Sequence, residues 1–290
     1  MVKFRNRGGR LSRNLEDRRA AGRSIGRGPG IPLGRAGAGG GVIGIVILLL
    51  ALFMNGGGGG GGGISDVFTQ LQSPGGTVDP GDDELVQFMS DGLDDIQAFW
   101  ASEDGLGADY EDAQLVLFTS GVSTDGCGSA PSSVGPFYCP ADRKAYLDLS
   151  FFRDLERRFG APGDFAQVYV LAHELGHHVQ NLTGTNARVR EETARDRSRT
   201  NELSVRQELQ ADCYAGVWGR SAQERGILEP GDLEEGLGAA AAVGDDRLGN
   251  PVEEDWTHGS AEQRQRWFRV GFDAGDHRAC DTFSVPANDL

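Results

Sequence analysis

The segment HELGH at 173–177 lies in an apolar stretch, after VYVLA and close before Val179. Ionisable side chains there are costly to bury without partners, so the fold must supply them. On an α-helix, His173 and His177 leave the same face, about 6 Å apart along the axis. That spacing lets both imidazoles close on one Zn²⁺. Glu174 is rotated roughly 100° from His173, so it reaches a water at the metal instead of joining the ligands. The pattern is that of a zinc-dependent hydrolase with a glutamate general base.

A catalytic zinc takes three protein ligands and leaves one position open. A third histidine at the metzincin spacing is absent, because Gln180 and Thr183 stand where Gly and His would be needed. His178 points off the ligand face. The segment ELQAD at 208–212 offers a carboxylate from a second element. Glu208 is the expected third ligand. Asp212, one helical turn on, is placed to accept the free ring N–H of a ligand histidine and so fix its tautomer.

Several long segments carry a resemblance. They are NLEDRR near the start, GPFYCPADRKAYLDLSFF, GDFAQVYVLAHELGHHVQNLTG, NELSVRQELQADCYAGVW, THGSAEQRQRWFRVGF and a late CDTF. Over nearly its whole length the chain resembles the bacterial family described as "putative neutral zinc metallopeptidase", small membrane-anchored gluzincin-like proteins. The resemblance implies zinc peptidase activity, with His173, His177 and Glu208 as ligands and Glu174 as base.

Charge is divided along the chain. Residues 1–35 carry ten basic and two acidic side chains, net +8, against −15 for the whole, which leaves −23 for the remainder. A basic arm can mark nucleic-acid binding, but here it precedes a segment, 36–65, with no charged residue. The apolar heart at 42–54 is 13 residues long, and 36–54 is 19, close to the span of a bilayer core. No A-x-A-like cleavage site follows it. The expectation is therefore a basic cytoplasmic arm (1–35), a transmembrane anchor (36–54), a Gly-rich linker (55–80) and a zinc metallopeptidase domain (81–290). The positive-inside rule then sets a single-pass cell-membrane protein with a cytoplasmic N-terminus and an extracytoplasmic catalytic domain. The strongly acidic domain argues against nucleic acid as a partner.

Cys127, Cys139, Cys213 and Cys280 agree with an exported domain. Cys127 and Cys139 bracket a Gly/Pro/Ser loop that a bridge would staple, and Cys213–Cys280 is then the remaining pair. Thiolate ligation of zinc is the other reading, but no C-x-x-C is present. The hydrophobic pattern predicts helices over about 82–103, 165–181, 186–198, 200–224, 231–244 and 260–273, with a further short helix after 151. Asp164 is the expected cap of the second of these helices. Strands are expected at 115–120 and 144–152. The latter alternates as a half-exposed strand, and 144–150 is a candidate sheet edge for a peptide substrate. The fold class read from this order is α+β, a mostly helical gluzincin-like domain with a small antiparallel sheet, preceded by one transmembrane helix.

The function that follows is zinc-dependent hydrolysis of a peptide or protein substrate, by an endopeptidase in preference to an exopeptidase. It uses one Zn²⁺, metal-activated water and Glu174 as base. His258, in THGS at a helix start, is the candidate oxyanion donor beside Tyr169 and Tyr214. The rival is a non-catalytic, zinc-stabilised, membrane-tethered binding module. An intact Glu174 speaks against it, because a structural zinc site fills its fourth position with protein.

Overall fold

The computed structural model describes residues 2–4, 9–19, 82–104, 106–119 and 121–290. Six strands and seven helices can be followed among them. The strands are β1 (Leu15–Asp17), β2 (Gln114–Phe118), β3 (Gly121–Ser123), β4 (Ser129–Pro131), β5 (Phe137–Cys139) and β6 (Lys144–Asp148). The helices are α1 (Asp82–Trp100), α2 (Ser150–Arg157), α3 (Asp164–Leu182), α4 (Thr185–Arg195), α5 (Thr200–Glu224), α6 (Asp232–Ala242) and α7 (Ala261–Ala274).

Four strands form one sheet in the order β1-β2-β6-β5, and β3 and β4 form a separate hairpin. The main sheet is mixed instead of antiparallel: β1 and β6 both run parallel to β2, and only β5 is antiparallel to its neighbour. The reason is the long connection from β2 to β6. Parallel strands need a crossover of a dozen residues or more, and 119–143 is long enough to provide it.

That crossover also changes the environment of β6. Ala145, Tyr146, Leu147 and Asp148 are all buried, so the strand is covered on both faces. Ala145 and Leu147 join the main core, whereas Tyr146 packs with Val116, Phe118, Val122, Ala130, Val134 and Cys139 in a second, smaller one. Asp148 is satisfied by the Ser132 hydroxyl and by the Ser150 N–H at 2.8 Å. The strand at 144–150 is therefore central, and the sheet ends at β5.

The helices pack over the other face of the sheet. On α1, Val86, Met89, Leu93, Ile96 and Trp100 are buried at helical spacing. The helix α3 begins after Gly163, whose φ is 114°, and Asp164 is its first residue instead of its cap. Its carboxylate, favourably placed at a helix N-terminus, accepts the Val2 N–H. The helix ends at Leu182, Thr183 caps it, and Gly184 follows with φ 84°. A Ser260–Gln263 capping box starts α7. Helix α7 lies so close to α5 that a Cβ on Gly271 would be 1.9 Å from the Cys213 carbonyl oxygen.

The N-terminal residues correct the expected topology. Strand β1 pairs with β2 from Leu15↔Leu115 to Asp17↔Leu117. The buried Arg19 guanidinium holds Asp17 at 2.7 Å and Asp83 at 2.9 Å. Ser12 donates to Asp94, and Phe4 packs on Phe88. A strand of the sheet cannot lie across a bilayer from that sheet, so residues 9–19 and the domain from 82 onward share one side. Among the described residues no helix is long and apolar enough to cross a membrane. The run 36–54 and the polyglycine linker lie outside the described residues. The expected single-pass arrangement, with a cytoplasmic arm and an extracytoplasmic domain, is set aside on these findings.

Gly271→Ala tests the α5/α7 contact. The added methyl must push the helices apart, and a shift in urea midpoint worth about 1–3 kcal/mol is expected. Unchanged stability would mean that the two backbones are not in close contact.

Candidate metal centre

Helices α3 and α5 meet at Gly176, the glycine of HELGH. A Cβ there would lie 3.0 Å from the Ala211 carbonyl oxygen and 3.1 Å from its Cα. The small residue lets α5 come close enough for its Glu208 and Asp212 to reach the two histidines. His173 Nε2 is 3.1 Å from Glu208 Oε2, and His177 Nε2 is 3.4 Å from Glu208 Oε1. Donor atoms of His173, His177 and Glu208 all lie within 4.8 Å of one another.

The opposite ring nitrogen of each histidine is held from behind. His173 Nδ1 donates to Asp212 Oδ1 at 2.8 Å. The same carboxylate accepts from the Tyr169 hydroxyl at 2.5 Å and from Arg264 Nε and Nη2 at 2.8 and 2.9 Å. Asp212 and Arg264 are both buried. His177 Nδ1 donates to Gln180 Oε1 at 2.8 Å. In the neutral form of each ring the proton is therefore held on Nδ1 and Nε2 faces Glu208 with its lone pair, the tautomer that metal ligation needs.

The electrostatics follow from burial and pairing. Burial alone would hold His173 neutral, but Asp212 and Glu208 outweigh it and push it up to about 10 in the metal-free protein. His177 is raised in the same way, against burial, by Glu208. Glu208 is driven well below the usual carboxylate range, because the two histidines overcome the opposing effect of burial. Glu174 moves the other way: burial raises it, and the neighbouring histidines only partly offset this.

The donor set suits zinc: two imidazoles and a carboxylate, the composition of an open catalytic site. Glu174 supports the fit independently, because its Oε2 is buried and has no hydrogen-bond partner. Among the described residues two further groups bring carboxylates together, Glu103–Asp276–His277 and Asp164–Asp232–Glu235. In the first, Asp276 is already held by Arg278, and in the second, Asp164 accepts the Val2 N–H.

His178 turns away, as expected. Its Nε2 donates to the Glu111 carbonyl at 2.6 Å, which leaves Nδ1 to accept from the Tyr138 hydroxyl at 2.8 Å. It ties α3 to β5. His258 bonds to Asp245, with Nδ1···Oδ1 3.2 Å, while the N–H groups of Thr257, His258 and Gly259 all converge on Asp245 Oδ2. Gly259 sits against Val205 and Leu209, either side of Glu208 along α5. Tyr169 is committed to Asp212, and Tyr214 packs edge-on against Trp100. The bridges Cys127–Cys139 and Cys213–Cys280 are both formed.

Arg264, Gln180 and Gln210 escaped the sequence reading. The signal for Arg264 was its place on the apolar stripe of α7, among Ala261, Trp267, Phe268, Gly271 and Phe272. A lone cation on a buried face needs an anion. Gln180, three residues after His177, is an uncharged polar group on a face that is otherwise core.

Two helices that carry HExxH and a downstream Glu-x-x-x-Asp define a metallopeptidase-type centre. The family described as "putative neutral zinc metallopeptidase" matches residues 4–283, and the chain belongs to it. It is 44% identical over 291 residues to YpfJ of Escherichia coli (strain K12), covering 97% of this chain and 99% of that protein. It is 49% identical over 192 residues to Rv2575 of Mycobacterium tuberculosis (strain H37Rv), covering 61% and 64% of the two chains. No solved structure matches. Family membership implies zinc.

Because both histidines must be neutral to bind metal, a zinc ion held here would displace protons. Chelator competition should show affinity falling from pH 8 to pH 6, by up to about tenfold per unit for each proton displaced. A pH-independent affinity would contradict the arrangement. Asp212→Ala should weaken zinc binding by about 10–100-fold.

Proposed function

We propose that this chain is a peptidase that holds one Zn²⁺ through His173, His177 and Glu208 and uses Glu174 as its general base. When bound, the ion supplies Lewis acidity toward a water and the scissile carbonyl. Glu174 removes the proton of the attacking water and delivers it to the leaving amine. Its raised proton affinity suits both transfers, and the observation that carries the proposal is its buried, unpartnered Oε2 beside the histidine pair.

His258 is the proposed donor to the developing oxyanion. Asp245 fixes the ring through Nδ1 and gathers three backbone N–H groups of its loop. In its protonated form the ring has Nε2–H left to donate. Strand β5 replaces 144–150 as the edge proposed to receive an extended substrate. It ends the sheet and is tied to α3 through Tyr138, His178 and Asn181. A substrate laid along this edge would extend to both sides of the cleaved bond, which favours an endopeptidase.

Digestion of a peptide library by the purified protein, with and without chelator, tests the activity. Glu174→Gln should retain zinc and lose hydrolysis, since an amide cannot accept the proton; wild-type rates in that variant would remove Glu174 as the base. Glu208→Ala should lose most bound zinc. His258→Ala should lower kcat by about 10²–10³ with little change in KM, and an unchanged kcat would assign His258 to the loop alone.

A further inference from the structure

The bond between His177 and Gln180 has a direction that is fixed from outside the pair. Gln180 Nε2 donates to the Gln207 carbonyl at 2.7 Å and to Gln210 Oε1 at 3.1 Å. A backbone carbonyl only accepts, so the amide nitrogen must face it and Oε1 must face His177. Gln210 is oriented in the same way, because its Nε2 donates to the Cys280 carbonyl at 2.9 Å. A one-way chain therefore runs from His177 Nδ1–H through Gln180 and Gln210 to the backbone of Cys280. Both glutamines are buried. Cys280 is bridged to Cys213, which follows Asp212 on α5.

We propose that Gln180 and Gln210 are positioning residues that hold His177 with Nε2 toward Glu208, and that the Cys213–Cys280 bridge anchors their relay. The inference rests on the zinc reading of His173, His177 and Glu208. The choice of amides has a physical reason. The centre already buries Glu174 and Asp212 and half-buries Glu208, and Arg264 is committed to Asp212. A carboxylate behind His177 would add a further buried charge with no cation to match it. A neutral acceptor orients the ring without that cost, and its own N–H groups are satisfied down the chain. Through this relay and through Asp212, one disulfide adjoins the supports of both ligand histidines.

The test is zinc affinity by chelator competition in the full chain, for Gln180→Leu, Gln210→Met and the double variant. Thermal unfolding of the zinc-free proteins is measured alongside. Each single change should weaken zinc binding by about 10–100-fold. The double variant should lose little more than Gln180→Leu alone, because both act along one path. Separate packing roles would instead give additive losses, or lower stability with zinc affinity unchanged, and either result overturns the proposal. If Gln180→Leu does not fold, Gln210→Met decides the matter: the relay predicts weakened zinc binding, and unchanged binding rejects it. A wild-type protein that binds no zinc would remove the zinc reading, and the relay with it. Tight wild-type binding with unaltered variants would remove the relay alone.

Discussion

The arrangement of this molecule depends on one buried carboxylate. Asp212 accepts hydrogen bonds from four donors: the Tyr169 hydroxyl, His173 Nδ1 and two nitrogens of Arg264. These come from α3 and α7, while Asp212 itself is on α5, so a single side chain joins the three helices. Burial would favour its neutral form, but Arg264 and His173 hold it ionised. A buried ion pair of this kind is weak evidence for net stability. Its loss is another matter, because removing either partner strands a charge in the core at a cost of about 3–5 kcal/mol. The pair therefore specifies how α5 and α7 sit against α3, and with them where Glu208 sits relative to the two histidines.

That geometry is possible only because the backbones come close. Gly176 rests on Ala211, one residue before Asp212, and Gly271 rests on the Cys213 carbonyl, one residue after it. The contact points flank the carboxylate on both sides of the sequence. The Cys213–Cys280 bridge adds a covalent tie at the same level of α5. Small residues, a saturated carboxylate and a disulfide thus converge on one turn of one helix, and the proposed third ligand lies one turn earlier.

The parts of the centre that obey local spacing were legible in the sequence. The i,i+4 histidines and the i,i+4 Glu208–Asp212 pair each lie on one helix face, so periodicity alone brings out the sets that the fold then joins. Most helices were legible for the same reason. What tertiary contact decides was not. Arg264 is 52 residues from Asp212 along the chain, and Gln210 meets Cys280 across 70. The parallel pairing of β2 with β6 depends on a crossover whose path no local pattern reveals. Alternation in 144–152 suggested a solvated face, yet the crossover covers it. The N-terminal basic residues were read as a topology signal from their number. Their partners, Asp17 and Asp83 for Arg19, and the pairing of Leu15–Asp17 with β2, become visible only in three dimensions.

The central claim is that His173, His177 and Glu208 form a single zinc site with one open position. X-ray absorption at the zinc edge of the purified protein tests it most directly. The account predicts one zinc per chain in a shell of nitrogen and oxygen alone. Two imidazoles should lie at about 2.0–2.1 Å, with a carboxylate oxygen and one exchangeable light-atom ligand completing four-coordination. Sulfur in the shell at about 2.3 Å, or four protein ligands with no exchangeable position, would contradict it.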